Sequence, residues 1–361
     1  MNLSQLHPYQ GPIKFEPHEV SLGFEQSAIH RVMRQLSTHL SCRYRDTFPL
    51  EVGACIKLLN SLLKENTNKH VFHNCEGISL LSRLISQPTS LSPSLLNCID
   101  HLCSLPDLCT DLIFSDIPSK LSSLLTNNPN PNPNADPNLS ISLAALQTLS
   151  LLLERFAVLN GKESIAKTSI YLPNLLSSSH HHATSSPSPS HATCQCVISA
   201  LRAIYSVTSC LESKSFLTQP EIIGEFAEGI SSLCQSKLID KLIEIGQIDK
   251  FRYFCLNIVG DLVKFKKGYD AIIQSNVIDL IAKGLETDDV MSCLWILSYL
   301  SIKFEGAQLI SKNIRVLRHL VRIKCDKRVD NDIKFEVVCD VLSSINKNDE
   351  LSRVVKSLCC V

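Results

Sequence analysis

The chain has 361 residues, more than one ordinary core accommodates, so its length points to two domains or to one elongated array of repeats. Leucine supplies 53 residues, while aromatics make up 6% and glycine only 12 positions, a mix that favours helices and argues against sandwiches, barrels and glycine-looped nucleotide folds. The 35 Lys and Arg residues are balanced by 35 Asp and Glu residues, so no global field draws the chain to nucleic acid or to an anionic membrane.

In chain order, residues 1–50 read as an N-terminal extension with Pro8, Pro12 and Pro17 and one helix near 24–42. Met1 to Pro8 holds no basic segment followed by an apolar run, so no signal peptide is expected. From residue 51 onward, apolar residues recur at spacings of three and four, as in Leu80, Leu81, Leu84 and Ile85, or in Leu143, Leu146, Leu149, Leu152 and Leu153. No uninterrupted apolar run reaches ~18 residues, so no membrane span is expected. Two low-complexity stretches interrupt the pattern, at 127–138 (rich in Asn and Pro) and at 177–193 (rich in Ser, His and Pro), and both are expected to be disordered inserts. Cysteine occurs 16 times, but Cys55, Cys98, Cys103, Cys234, Cys255, Cys293 and Cys339 occupy apolar helical positions, where a free thiol behaves as a small hydrophobe. A reducing compartment is expected: the cytoplasm, with the nucleus an alternative. At the end of the chain, Cys359 and Cys360 precede Val361. A prenylation box needs Cys at position 358, which is Leu358, so either a lipidated thiol or a packed end helix fits.

Five segments share one plan, a short turn, an Ile or Val, then an apolar helix, with Ile78, Ile117, Ile170, Val277 and Ile314 as markers. Ile78 to Ile117 is 39 residues and Val277 to Ile314 is 37. The interval from Ile170 to Val277 leaves room for one divergent repeat, with 219–233 and Ile222 as its candidate. An all-helical period of ~40 residues is the signature of armadillo or HEAT repeats, in which one helical unit cannot cover its own apolar face and stacking completes the core.

The stretch 287–321 resembles an armadillo repeat. Asp288 and Asp289 match its acidic turn. Cys293, Trp295, Leu297, Tyr299 and Leu300 follow its long third helix, and Ile310, Asn313 and Ile314 follow the start of the next repeat. Similar frames recur at 92–125 and 251–285, and the resemblance spans about residues 51–361. It implies an all-α, right-handed α-solenoid, a superhelix of about six to seven armadillo/HEAT-like repeats. It also implies that the third helices line a concave groove. Peptide-binding members of the family carry Trp and Asn four residues apart on that helix. Here Trp295 keeps the Trp position, but Tyr299 replaces Asn. The equivalent pairs are Lys57/Ser61, Asn97/His101, Arg202/Ser206, Asn257/Asp261 and Asp340/Ser344, so the ladder of a nuclear-localisation receptor is not reproduced.

The expected function is a protein–protein interaction scaffold. Asn97, His101, Arg202, Asn257, Asp261, Trp295 and Tyr299 would hold an extended segment of another protein, with no catalysis and no cofactor. The alternative is a structural HEAT-type subunit of a larger assembly, bound through a basic stripe of Arg315, Arg318 and Arg322 at i, i+3 and i+7. That stripe fits either a solvated helix face or a site for acidic or phosphate groups. His180, His181, His182, His191, Cys194 and Cys196, and likewise Cys98, His101, Cys103 and Cys109, hold metal-ligand residue types without the spacing of a zinc module, so no metal is assigned. Nucleotide loops, nucleophile elbows and zincin helices are missing from the sequence.

Overall fold

A computed structural model describes residues 17–41, 48–87, 92–126, 137–160, 168–185, 189–209, 231–287, 289–325 and 333–347. Among the described residues every regular element is a helix, eighteen in all. The chain divides into two compact units, Met1–Leu105 and Pro106–Val361.

The first unit contains α1 (Pro17–Ser41), α2 (Phe48–Leu62), α3 (Asn66–Asn74), α4 (Gly77–Ile85) and α5 (Pro93–Leu102). Helix α1 begins earlier than its sequence pattern predicts, and it is no appendage. Its Ile29, Val32, Met33 and Leu36 recur at helical spacing and are buried, and α1 packs on α2, α3 and α4. Helix α5 starts where the Ser92 hydroxyl accepts the Leu95 N–H at 3.3 Å, with Pro93 at the first helical position, where its missing N–H costs nothing.

The second unit contains α6 (Pro106–Phe114), α7 (Ile117–Thr126), α8 (Pro137–Asn160), α9 (Leu172–Thr184), α10 (His191–Ser209), α11 (Ser236–Gly246), α12 (Asp249–Leu262), α13 (Lys266–Ile273), α14 (Val277–Leu285), α15 (Val290–Ser301), α16 (Phe304–Lys312), α17 (Ile314–Cys325) and α18 (Ile333–Asn346). Neighbour relations run in two series. One is α7–α9–α11–α14–α17, the other α8–α10–α12–α15–α18, and each helix packs on the next in its series. The repeat markers Ile117, Ile170, Val277 and Ile314 stand at or just before the starts of α7, α9, α14 and α17, so the sequence period maps onto the first series. The divergent repeat belongs to α11. Most of the expected segment 219–233, including Ile222, lies outside the described residues, and Leu238, Ile239, Leu242 and Ile243 of α11 supply the buried stripe instead.

In three of the short helices the third residue faces the end of the preceding long helix. That position holds Asn68 in α3, Gly268 in α13 and Gly306 in α16, all buried. The Asn68 amide donates to the Leu62 carbonyl at 3.0 Å. At Gly268 and Gly306 the approach is closer, and a Cβ would overlap the carbonyl oxygens of Leu262 and Leu300. Tyr269 then donates its hydroxyl to the Leu300 carbonyl at 3.3 Å, tying α13 to the next long helix, while Lys303 Nζ lies 4.0 Å from its ring centre.

One expectation changes. The Ser/His stretch is not a disordered insert over its first half, because α9 runs to Thr184. Serine tolerates a helix when its hydroxyl returns to the carbonyl four residues back, as Ser179 does to Leu175 at 2.7 Å. Leu175, Leu176, Ser179, His182 and Ala183 are then buried among α7, α8, α10 and α11. Residues 191–193 likewise open α10. The Asn/Pro stretch lies outside the described residues up to 136, as do Asp288, Cys359 and Cys360. Helix α8 bears on the expected absence of a membrane span. Its window Ile141–Val158 has a mean hydropathy of 1.4, long and apolar enough to cross a membrane, although the sequence reading expects no span. Ala145, Leu146, Leu149, Leu152, Leu153 and Phe156 of that window are buried against α6, α7, α9 and α10, so its apolarity is that of a helix surrounded by others.

The histidine and cysteine groups do not converge. His180 pairs with Glu244 at 2.5 Å, His182 is buried beside the Ser142 hydroxyl at 3.3 Å, and His181 is exposed. Among the described residues no group of three or more His, Cys, Asp or Glu could hold a metal ion. Burial raises the thiols of Cys98, to about 12, and of Cys234, to about 11, and keeps both protonated.

Two stability predictions follow from this packing. Gly306→Ala should lower stability by about 1–3 kcal/mol through backbone overlap. Gly53→Ala, inside α2 with open space around it, should leave stability unchanged or raise it by up to ~1 kcal/mol. Urea denaturation of both variants separates the two. Burial, with His181 nearby, holds the His182 imidazole down to about 4. The folded chain therefore keeps His182 neutral, while the unfolded chain takes up a proton near pH 6.5. Its contribution is full above pH ~6.5 and is lost as pH falls towards about 4, on the order of 3 kcal/mol. His182→Leu should flatten that limb of the stability–pH profile relative to wild type.

Candidate functional site

Three consecutive members of the second series, α10, α12 and α15, enclose a cleft of about 450 Å³ lined by Tyr205, Leu256, Asn257, Gly260, Asp261, Lys264, Ser292, Trp295 and Tyr299. Each helix is positioned by the opposite face. Val207 of α10, Cys255, Ile258 and Val259 of α12, and Cys293, Ile296 and Leu297 of α15 are buried, which turns the remaining positions outward. Trp295 and Tyr299, one turn apart, remain 50% and 37% exposed, large aromatic surface that the core does not use.

The floor is polar and internally paired. Asp261 is 6% exposed. One of its oxygens accepts the Thr208 hydroxyl at 2.9 Å and the other the Lys264 ammonium at 3.2 Å. A carboxylate this buried requires such partners. Lys264 also lies 5.8 Å from the Tyr299 ring centre, so one cation joins α12 to the aromatic wall on α15. Nearby, Ser292 donates to the Asn257 side-chain oxygen at 3.0 Å, while the Asn257 amide donates to the Tyr253 carbonyl at 2.8 Å. The Ser292 hydroxyl is thus directed at an amide oxygen and not at a base that would activate it as a nucleophile.

Of the seven groove residues expected from sequence, Asn257, Asp261, Trp295 and Tyr299 meet in this cleft. Asp261 is corrected in role: both carboxylate oxygens are engaged within the chain, so it braces the site and presents no free carboxylate to a partner. Arg202 is exposed on α10 but does not line the cleft. Its guanidinium stands 5.9 Å over the Phe254 ring and 3.9 Å from Glu154, whose carboxyl is pushed up by burial and pulled back by Arg202. Asn97 and His101 lie on α5 of the first unit, Asn97 exposed and His101 half-buried. Burial and the ammonium groups of Lys69 and Lys64 lower the His101 pKa below its ordinary range. Asn97 and His101 therefore form no part of this cleft. Arg315, Arg318 and Arg322 are exposed on α17, in the other series of helices.

Sequence reasoning missed Tyr205, Thr208, Gly260, Lys264 and Ser292. It paired positions four apart, Arg202 with Ser206, whereas a helix face also collects positions three apart, which is how Tyr205 and Thr208 arrive together. Lys264 follows Asp261 by three, and that spacing is the signal that could have revealed an internal ion pair.

No family model matches the chain, and no curated protein matches it in sequence. Among solved structures, the chain is similar to one from work on a conserved phosphorylation switch controlling the interaction between cadherin and beta-catenin. That likeness has 11% sequence identity and a TM-score of 0.31, and it covers 96% of this chain and 93% of the other.

Proposed function

We propose that the chain is a protein–protein interaction scaffold of the armadillo type, a right-handed solenoid that binds an extended segment of a partner along the face made by α10, α12 and α15, without catalysis. The observation that carries this reading is the half-exposed pair Trp295 and Tyr299 beside an open cleft whose polar floor is already paired. Aromatic side chains held rigidly at the edge of a cleft supply contact area at little entropic cost, which is why they dominate many interfaces. The pre-formed floor removes the cost of ordering Lys264 and Asp261 when a partner arrives. The proposed setting is reducing, the cytoplasm or the nucleus, where the free thiols of Cys98, Cys255 and Cys293 persist.

The rival reading is a structural subunit of a larger assembly, favoured by apolar exposure outside the cleft: Ile302 is 72% exposed and Phe304 and Ile333 about half.

Replacing Trp295 and Tyr299 together by Ala should leave helicity and thermal midpoint near wild type, because both side chains are exposed. It should weaken the partner complex at least tenfold, since a buried aromatic hot spot is worth about 2 kcal/mol or more. Affinity enrichment from cell extract with both proteins, followed by mass spectrometry and titration of the enriched partner, measures this. A complex that survives in the folded double variant would transfer the reading to the structural subunit.

A further inference from the structure

We infer that the exposed face of α17 is a second docking surface, for an acidic segment of another protein, and that it is independent of the aromatic cleft. The register of α17 is set at its start, where the Asn313 side-chain oxygen accepts the N–H groups of Arg315 and Val316, both at 3.1 Å. With that register, Val316, Leu317 and Leu320 are buried, and Arg315, Arg318 and Arg322 form one exposed column, flanked by exposed Lys312 and Lys324. At ~1.5 Å rise per residue the three guanidinium-bearing positions span roughly 10 Å.

Like charges three and four residues apart on one helix repel each other. Elsewhere in this unit, three cations meet an acid at the same spacings: Lys120 with Asp116 at 2.6 Å, Lys264 with Asp261 at 3.2 Å, and Arg252 with Asp249. None of the three stripe arginines has an ion pair among the described residues. The Glu286 carboxylate beside α17 is turned to His319, at 3.7 Å. The column thus keeps a repulsive arrangement, and carboxylates supplied from outside would relieve it.

The chemistry favours an acidic polypeptide over other polyanions. Side chains on one face of an extended strand recur every ~6.7 Å, close to the roughly 6 Å between Arg318 and Arg322, so alternate Asp or Glu residues can each meet a guanidinium fork. A membrane surface is disfavoured because Val316, Leu317 and Leu320 of α17 are turned into the core, leaving half-exposed Ile314 as its one large exposed apolar side chain. Single-stranded nucleic acid is disfavoured because α17 carries no Phe, Tyr or Trp on which a base could stack, and its His319 is turned to Glu286.

The test is fluorescence anisotropy of a labelled poly-glutamate peptide with the full chain, beside a poly-glutamine control. Wild type should bind poly-glutamate, not poly-glutamine, and weaken as salt rises. Arg315→Gln/Arg318→Gln/Arg322→Gln should weaken binding several-fold, and the corresponding triple change to Glu at least about tenfold. Lys250→Glu/Lys266→Glu, on other helices, and Trp295→Ala/Tyr299→Ala should both bind as wild type, provided that circular dichroism shows each variant folded. The proposal is overturned if wild type ignores poly-glutamate, or if Lys250→Glu/Lys266→Glu loses as much as the stripe variants. Tighter stripe-dependent binding to phosphatidylserine vesicles or to single-stranded RNA would overturn it in favour of a membrane or a nucleic acid. Loss of poly-glutamate binding in the folded Trp295→Ala/Tyr299→Ala variant would show that the two surfaces are one.

Discussion

A short amphipathic helix cannot hide its own apolar stripe, and most of the helices here are between eight and fifteen residues long. Each is too short to be stable in isolation, so its stability comes from the neighbour that covers it. In the second unit every helix of a series buries its stripe against the next helix of that series, and the core is a continuous succession of interfaces instead of a centre. The low aromatic content follows from this layout. Leu, Ile and Val side chains fill the narrow spaces between adjacent helices, and Phe72, Phe156 and Phe251 are the large fully buried exceptions.

Such stacking works only if successive units approach at a repeatable distance. The third residue of the short helices sets that distance in three places by two different means. Asn68 hydrogen-bonds the carbonyl end of the preceding helix, and Gly268 and Gly306 leave no side chain at all. The glycines bring backbone against backbone, and Tyr269 uses the resulting proximity to bond the Leu300 carbonyl. The cleft between α10, α12 and α15 depends on the same spacing, because its aromatic wall and its charged floor come from different helices. The Asp261 carboxylate, bonded to Thr208 of α10 and to Lys264, holds two of those helices in register at the level where Tyr299 approaches.

Much of this organisation was legible in the chain. Apolar spacing exposed the helices, and the recurrence from Ile78 to Ile117 and from Val277 to Ile314 exposed a period, because burial against a neighbour imposes the same pattern on every repeat. The aromatic pair Trp295 and Tyr299 was also legible, since four-residue spacing fixes a shared helix face whatever the helix packs on. The Ser/His stretch was misread because composition reports what a segment can do alone. Ser179 and His182 are helical and buried because neighbouring helices surround them, and composition has no access to that. The membrane-length apolar window of α8 shows the reverse limit: hydropathy measures apolarity without saying whether lipid or protein surrounds it.

By itself, the sequence determined what is periodic: the helical class, the length of the repeating unit, the positions of the buried stripes, and the outward arginine column of α17, all consequences of the fixed 3.6-residue turn. Only the tertiary structure decided which outward positions meet. Asn257 and Trp295 share a cleft with Tyr205, whereas Arg202 turns to Glu154 and Phe254, and Asp261 is consumed by Thr208 and Lys264. The reason is geometric. Residues 53 positions apart in the chain, such as Thr208 and Asp261, touch because of how two helices cross, and that angle is set by the interlocking of side chains from both, which no local pattern encodes.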